Sequence, residues 1–448
     1  MSFLNKQSSM LEGSLSDKIL LYALPLAATG ILQQLFNAAD VAVVGRFVGK
    51  EAMAAVGSNS AIIGLLVTFF IGISLGTNVV IAHAVGRDDN EEIHRAVHTS
   101  LLIAVVAGFI MMILGELFAP GILMLTGVPD EVFSMAVLYL RVYLLGLPVI
   151  LLYNFESAVF RGHGNTRTPL YALAFSGIIN VVLNVFFVVI LHRTVDGVAM
   201  ATAISNLVSS LFLFFKLCRS KEEIRFRLEE LKPDIPVLRK ILRIGIPSGV
   251  QSSMFSIANI IIQAAINSLG ATVMAGSSAA FNLEIFAYYV LNSFGQACTT
   301  FAGQNYGAGK LGRCRKSFFL CLILDYCFDA AVCILILIFG HQLLAVFNSD
   351  PEVIRYGYLR LCYIFFAYIF NVFQDVGSGY LRGFGLSMIP AGLSLAGICG
   401  VRIIWIMTVF RLHPSFDVIM MAYPISLGIT GIAILAAILL LRPSRRKL

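Results

Sequence analysis

The stretch "GILQQLFNAADVAVVG", Gly30 to Gly45, decides how this chain folds, because it sets a carboxylate inside an apolar run. Gln33, Asn37 and Asp40 follow i, i+4, i+7 and therefore share one face of a helix, with Gln34 beside them. A charged side chain at a bilayer centre costs at least about 2.5–3.5 kcal/mol on insertion scales, so such a group is expected to line a cavity instead of facing lipid. Asp40 stands about one turn before the outer end of its run, which places that cavity in the outer half of the first lobe.

The remainder of the chain puts this helix in a membrane. Of 448 residues, 58% are hydrophobic and only 13% charged, and the mean hydropathy is +0.87, far from soluble-globule usage. Apolar stretches of about 20 residues or more recur, enough for helices to cross a hydrocarbon core of roughly 30 Å. Twelve are expected, at 18–45, 54–84, 94–118, 133–158, 169–191, 197–217, 240–267, 273–303, 315–347, 352–381, 387–411 and 416–441. The head "MSFLNKQSSMLEGSLSDK" lacks the basic-then-apolar order of a cleaved signal peptide, so the first span is expected to serve as an uncleaved anchor, with no soluble domain left over.

The net charge of +7 is a topology signal and not a nucleic-acid footprint. Lys and Arg gather in alternate connections: Lys6 and Lys18, Arg87 and Arg95, Arg161 and Arg167, "KLCRSKEEIRFRLEELKPD", Lys310 to Lys316, Arg382, and the tail Arg442 to Lys447. The opposite connections hold chiefly Arg46, Lys50 and Arg193. By the positive-inside rule both termini are expected in the cytoplasm of a multi-pass inner-membrane protein. The eight cysteines form no C-x-x-C pair, and neither a disulfide framework nor a zinc site is indicated.

The chain repeats itself. At a fixed shift of 221 residues, Gly49 falls on Gly270, Met53 on Met274 and Gly86 on Gly307. "RGHG" at Arg161 likewise falls on "RGFG" at Arg382, Pro169 on Pro390 and Asp196 on Asp417. One shift held from end to end indicates duplication. The expected fold is an all-α integral membrane protein of two six-helix bundles, 1–217 and 240–448, joined by a linker at 218–239. An even number of spans per half gives both halves one orientation and a pseudo-two-fold axis along the membrane normal. Transporters commonly bind substrate between such repeats.

Polar faces within the spans supply the candidate site residues. Asn180 and Asn184 are one turn apart, Thr202, Ser205 and Asn206 form a second face, and Asn154 and Glu156 lie near the inner end of the fourth span. Neutral oxygens around one carboxylate suit a proton or a hard monovalent cation equally, while the alternative is ordinary interhelical hydrogen bonding. In the second half Glu284, Tyr288, Asn292 and Gln296 recur every four residues, a stripe able to hold an organic cation by charge and by cation–π contact. Asp325, Asp329, Asp375 and Arg402 are also embedded, and pairing of Arg402 with an Asp is the default expectation for them.

Other motifs fail on context. "GQNYGAGK" at Gly303 has the wrong spacing for a phosphate loop, with Leu311 after the lysine and no preceding strand. "EEIHRAVH" spaces His94 and His98 as metal ligands are spaced, yet reads better as a solvated helix start. No Ser-His-Asp constellation is visible, and no enzymatic activity or cofactor is expected.

The segments "LFNAADVAVVGRFVGKEAMAAVG" and "FAGQNYGAGK", with the "RGHGNTRTP" and "RGFGLSMIP" turns, resemble the MATE family of multidrug and toxic compound extrusion transporters, in particular its bacterial DinF-like branch. The resemblance covers essentially the whole chain. It implies two bundles forming a V and export of organic, often cationic, compounds in exchange for protons or sodium. It also implies an acid on the first helix, matched by Asp40, and a cation site completed by Asn180, Asn184 and Thr202, where sodium would sit. Many relatives carry an acid where this chain has Asn184, and "SSMFSIANIIIQ" lacks the acid of the NorM-like branch. Substrate contacts are expected from Gln34, Asn37, Asn154, Glu284, Tyr288 and Asn292 in a monomer with small organic cations and the lipid bilayer as its only partners. The competing reading is a flippase for lipid-linked sugars, which would want a more cationic cavity than these acidic spans supply.

Overall fold

The computed structural model describes residues 10–443. Lys6 and the basic tail beyond residue 443, used above to assign topology, lie outside the described residues. The first half comprises α1 (Ser16–Phe47), α2 (Lys50–Arg87), α3 (Asn90–Leu125), α4 (Asp130–Leu145), α5 (Leu147–His163), α6 (Arg167–Val185) and α7 (Val195–Cys218). The second comprises α8 (Ile235–Asn267), α9 (Ala271–Gly307), α10 (Leu311–Ile338), α11 (Gly340–Phe347), α12 (Pro351–Gly383), α13 (Met388–Ser394), α14 (Val401–Trp405) and α15 (Phe416–Leu441). Among the described residues there are no β-strands.

Among the described residues, ten of these spans are long and apolar enough to cross a membrane unaided. An eleventh is the pair α4 and α5, bent by 47° where the sequence reading drew one straight span over 133–158. The bend falls at Gly146, with Pro148 in the first turn of α5 where its missing N–H leaves nothing unsatisfied. Helix α9, 37 residues long, covers the remaining expected span but is not among these, because its polar stripe interrupts the apolar run. Two further expected spans are irregular. The ninth ends in the separate short helix α11, and the eleventh is broken by π-helical turns at Leu395–Gly400 and Ile406–Phe410.

The duplication is visible in the backbone. Helices α2 and α9 both start after a glycine of positive φ, Gly49 at 124° and Gly270 at 103°, a region closed to most side chains. The "RGHG" and "RGFG" turns end in Gly164 and Gly385, at φ 108° and 76°. A π-helical turn at Phe186–Ile190 in the first half has its counterpart at Ile406–Phe410 in the second.

The described residues condense into two compact units: Ala28–Gly245, and residues 10–27 together with 246–443. In the first, two apolar clusters form around Leu140, Leu147, Leu151 and Phe155 and around Ile81, Val97, Leu213 and Ile241. The other unit has one large core that includes Phe294, Phe301, Leu361, Val376 and Ile419. Its helices α9 and α12 approach so closely that a Cβ on Gly379 would fall on the Gly295 carbonyl oxygen. Close backbone contact of this kind replaces the hydrophobic drive that lipid does not provide.

The "GQNYGAGK" turn proves to be a clamp. Lys310 donates to the Leu11 carbonyl at 3.1 Å, and Arg313 donates to the carbonyls of Met10, Glu12 and Gly13 at 3.1, 3.3 and 3.1 Å. Lys310 of the turn and Arg313 at the start of α10 together hold the backbone that leads into α1.

Candidate functional site

The site in the Ala28–Gly245 unit is set by one helix contact. On α6, Gly177 presents no side chain, and the Phe36 ring of α1 lies in the space a Cβ would fill. Asp40 follows Phe36 by one turn, and Asn180 and Asn184 follow Gly177 by one and two turns, so the seated ring brings the carboxylate to the two amides.

The Asn184 amide donates to Oδ1 of Asp40, and the Thr202 hydroxyl approaches Oδ2 at 3.1 Å while also lying 3.0 Å from its own helix carbonyl, Val198 O. Asn184 also donates to Oδ1 of Asn180, at 3.2 Å. Asn180 and Asn184 are buried, whereas Asp40 and Thr202 are half-buried. Among the described residues no Lys, Arg or His forms an ion pair with Asp40, so its charge is met by neutral donors alone. The structure thus gathers Asp40, Asn180, Asn184 and Thr202 at one point, the four residues that the family resemblance singled out for ion coupling.

Donors to a carboxylate stabilise its charged form. The Oδ1 atom of Asn184 is itself buried and, among the described residues, without a hydrogen-bond partner. A half-turn of that amide would exchange donor for oxygen, so the same side chains suit either a bare carboxylate or a cation held among oxygens. Tyr139 and Tyr143, an i, i+4 pair on α4 with ring centroids 6.3 Å apart, lie within electrostatic range of Asp40. The sequence reading missed them, although two phenols one turn apart in an apolar span were a signal.

The expected substrate residues are dispersed. Gln34 is half-buried and Asn37 exposed, and among the described residues neither makes a side-chain hydrogen bond. Asn154 donates to Ile150 O of its own helix at 2.8 Å. The α9 stripe divides into two. Glu284 is taken up by Arg360 of α12, whose Nε and Nη2 donate to both carboxylate oxygens at 2.9 and 2.7 Å, while Nη1 donates to Ser277 at 2.8 Å. Farther along, Gln296 donates to Asn292 at 2.7 Å, and Asn292 donates to Asp375 at 3.5 Å. Tyr288 lies in electrostatic range of Asp375 and Arg382.

The expected pairing of Arg402 with an Asp is corrected. Arg402 is buried and donates to Asn259 and Ser426 at 2.9 and 3.1 Å, its guanidinium 4.4 Å from the Tyr423 ring centroid. Asp375 instead meets Arg382 at 3.8 Å. Neutral oxygens and aromatic faces of its own neighbours spare Arg402 a carboxylate.

A family model, MatE, matches residues 25–186 and again 247–408, once in each half, at starts that agree to within one residue with the shift of 221. The chain belongs to the MatE family. Its relatives include a probable multidrug resistance protein, YoeA, of Bacillus subtilis, 27% identical over 390 residues and covering 86% of this chain and 84% of that one. A probable multidrug resistance protein, NorM, of Thermotoga maritima is 28% identical over 389 residues, with coverage of 85% and 82%. Among solved structures, an outward-facing MATE family transporter of the MOP superfamily superposes with a TM-score of 0.90 at 22% identity, over 99% of each chain, which establishes the shared fold. This MatE-family chain is therefore a multi-span membrane transporter by fold and family.

Proposed function

We propose that this MatE-family chain is a secondary antiporter that exports organic, cationic drugs or toxic compounds in exchange for a proton or sodium ion loaded at Asp40. One observation carries the reading: a membrane-embedded carboxylate held, among the described residues, by neutral groups, the Asn184 amide and the Thr202 hydroxyl. A permanent basic partner would fix its charge, whereas neutral donors leave it free to change. That the relatives from Bacillus and Thermotoga are named as probable multidrug resistance proteins supports the substrate class.

In the proposed cycle, the charged carboxylate favours the conformation that takes up substrate from the cytoplasm. Loading of a proton or sodium from outside removes the net charge, weakens the pull on the Asn184 and Thr202 donors, and repacks α1 against α6 and α7. Substrate then leaves outward while the two repeats exchange access. The natural setting is the cytoplasmic membrane of a bacterium, with a monomer working alone and both termini inside.

The test is ethidium efflux from cells producing Asp40→Asn, with inverted vesicles given a pH gradient and a sodium gradient separately. Loss of efflux in the variant, and drive by one of the two gradients in the parent, is the expected result. A parental rate in Asp40→Asn would remove Asp40 from the mechanism.

A further inference from the structure

Helix α10 carries a second set of titratable groups that the Asp40 site does not use. Cys321, Asp325, Asp329 and Cys333 recur every four residues, so they form one stripe about 18 Å long at roughly 1.5 Å per residue. All four are buried, Asp325 with 0% and Asp329 with 4% of its surface exposed. Both oxygens of Asp325 and Oδ1 of Asp329 are enclosed without a hydrogen-bond partner among the described residues.

The titratable groups that act on Asp325 come from its own helix and from α9 and α12. From its own helix these are Asp329 and Cys321, from α9 Cys298, and from α12 Asp375. Cys298 and Cys321 are free thiols that interact across the α9 and α10 contact. Asp329 accepts the Cys333 thiol at 3.7 Å and lies in electrostatic range of Tyr368 of α12. The buried arginines of this unit are engaged elsewhere: Arg360 with Glu284, Arg402 with Asn259 and Ser426, and Arg382 with Asp375. An ionised carboxylate with neither a donor nor a cation, set among other acids, is among the costliest arrangements a protein interior offers. A neutral acid avoids that cost.

We propose that the α10 stripe is a second proton-holding site of this transporter, separate from Asp40, in which Asp325 carries the proton as a carboxylic acid. The proposal rests on the exporter reading only for its use in transport, since the protonation itself is a property of the folded chain.

The test is infrared spectroscopy of purified protein in lipid nanodiscs, with 13C in the aspartate side-chain carboxyl and with Asp40→Asn to silence the first site. A protonated-carboxyl stretch sensitive to the label is expected at neutral pH. It should disappear in Asp325→Asn and, in Asp325→Glu, leave the aspartate-labelled set while the fold keeps its acid. Absence of any such band at neutral pH overturns the proposal, as does its persistence in either Asp325 variant. Ethidium efflux by Asp40→Asn is read separately, so failure of the exporter reading leaves this measurement interpretable.

Discussion

Arg360 grips both oxygens of Glu284 across the α9 and α12 interface, at 2.9 and 2.7 Å, with less than a tenth of either side chain exposed. Breaking one partner of a buried pair strands the other charge, at a cost of about 3–5 kcal/mol in comparable cases. Glu284→Ala should therefore lower the thermal unfolding midpoint of purified protein sharply. The double change Glu284→Leu with Arg360→Met should recover most of the loss, because neither charge is then left alone. Equal midpoints for the single and double variants would contradict a structural pair.

The Phe36 ring on Gly177 is what carries α1 to α6. Gly177→Ala puts a methyl group where the ring lies, so the ring must swing away and Asp40 must move relative to Asn184. The variant should retain expression and fold yet lose efflux at least tenfold, although it touches no polar group. Gly64→Ala, where a Cβ meets nothing within 4 Å, is the matching control and should transport normally.

The α9 and α12 crossing offers a prediction about packing alone. In Gly379→Ala the new methyl meets the Gly295 backbone, which has no rotamer to yield. Overpacking of this kind typically costs about 1–3 kcal/mol. Thermal unfolding of Gly379→Ala should shift downward, while Gly392→Ala, with open space around it, should not.

The connection after α7 is fastened to α3. His98 accepts from the Arg227 amide at 3.1 Å through Nε2 and shares Nδ1–H with the His94 carbonyl at 2.8 Å, while His94 pairs with Glu230. Arg227 first, then His94, hold the Glu230 carboxyl below its ordinary value of 4.5. The Arg227 share of that depression is local to the connection, and only the His94 share supports docking on α3, support that is lost as pH falls through the lower, folded value. A spin label at exposed Lys221 should be immobile at neutral pH and gain mobility only on acidification below the usual Glu range. His94→Ala should give the mobile spectrum already at neutral pH.

Much of this architecture was legible in the residues. Apolar runs of membrane length marked the helices, and a constant shift marked the repeat because Gly49 and Gly270 satisfy the same backbone demand. Asp40 stood out because charge in lipid is expensive, and its neighbours Asn180, Asn184 and Thr202 lay on recognisable helix faces. Periodicity, however, reports which residues share a helix and says nothing about the partner helix. For that reason Arg360 was not matched to Glu284, Arg402 was assigned an acid it does not use, and Tyr139 and Tyr143 were overlooked. The bend at Gly146 was hidden for a related reason: glycine followed by proline is tolerated in membrane helices, so the pair alone does not announce a break.

The shift of 221 residues has a last implication. It carries Asp40 onto Ile261 and brings Ala104 onto Asp325, so each copy holds an acid where its sibling is hydrocarbon. Descendants of one ancestral segment have thus parted in chemistry while keeping their scaffold, and a chimaera assembled from two first segments would inherit twin Asp40 stations and no α10 ladder.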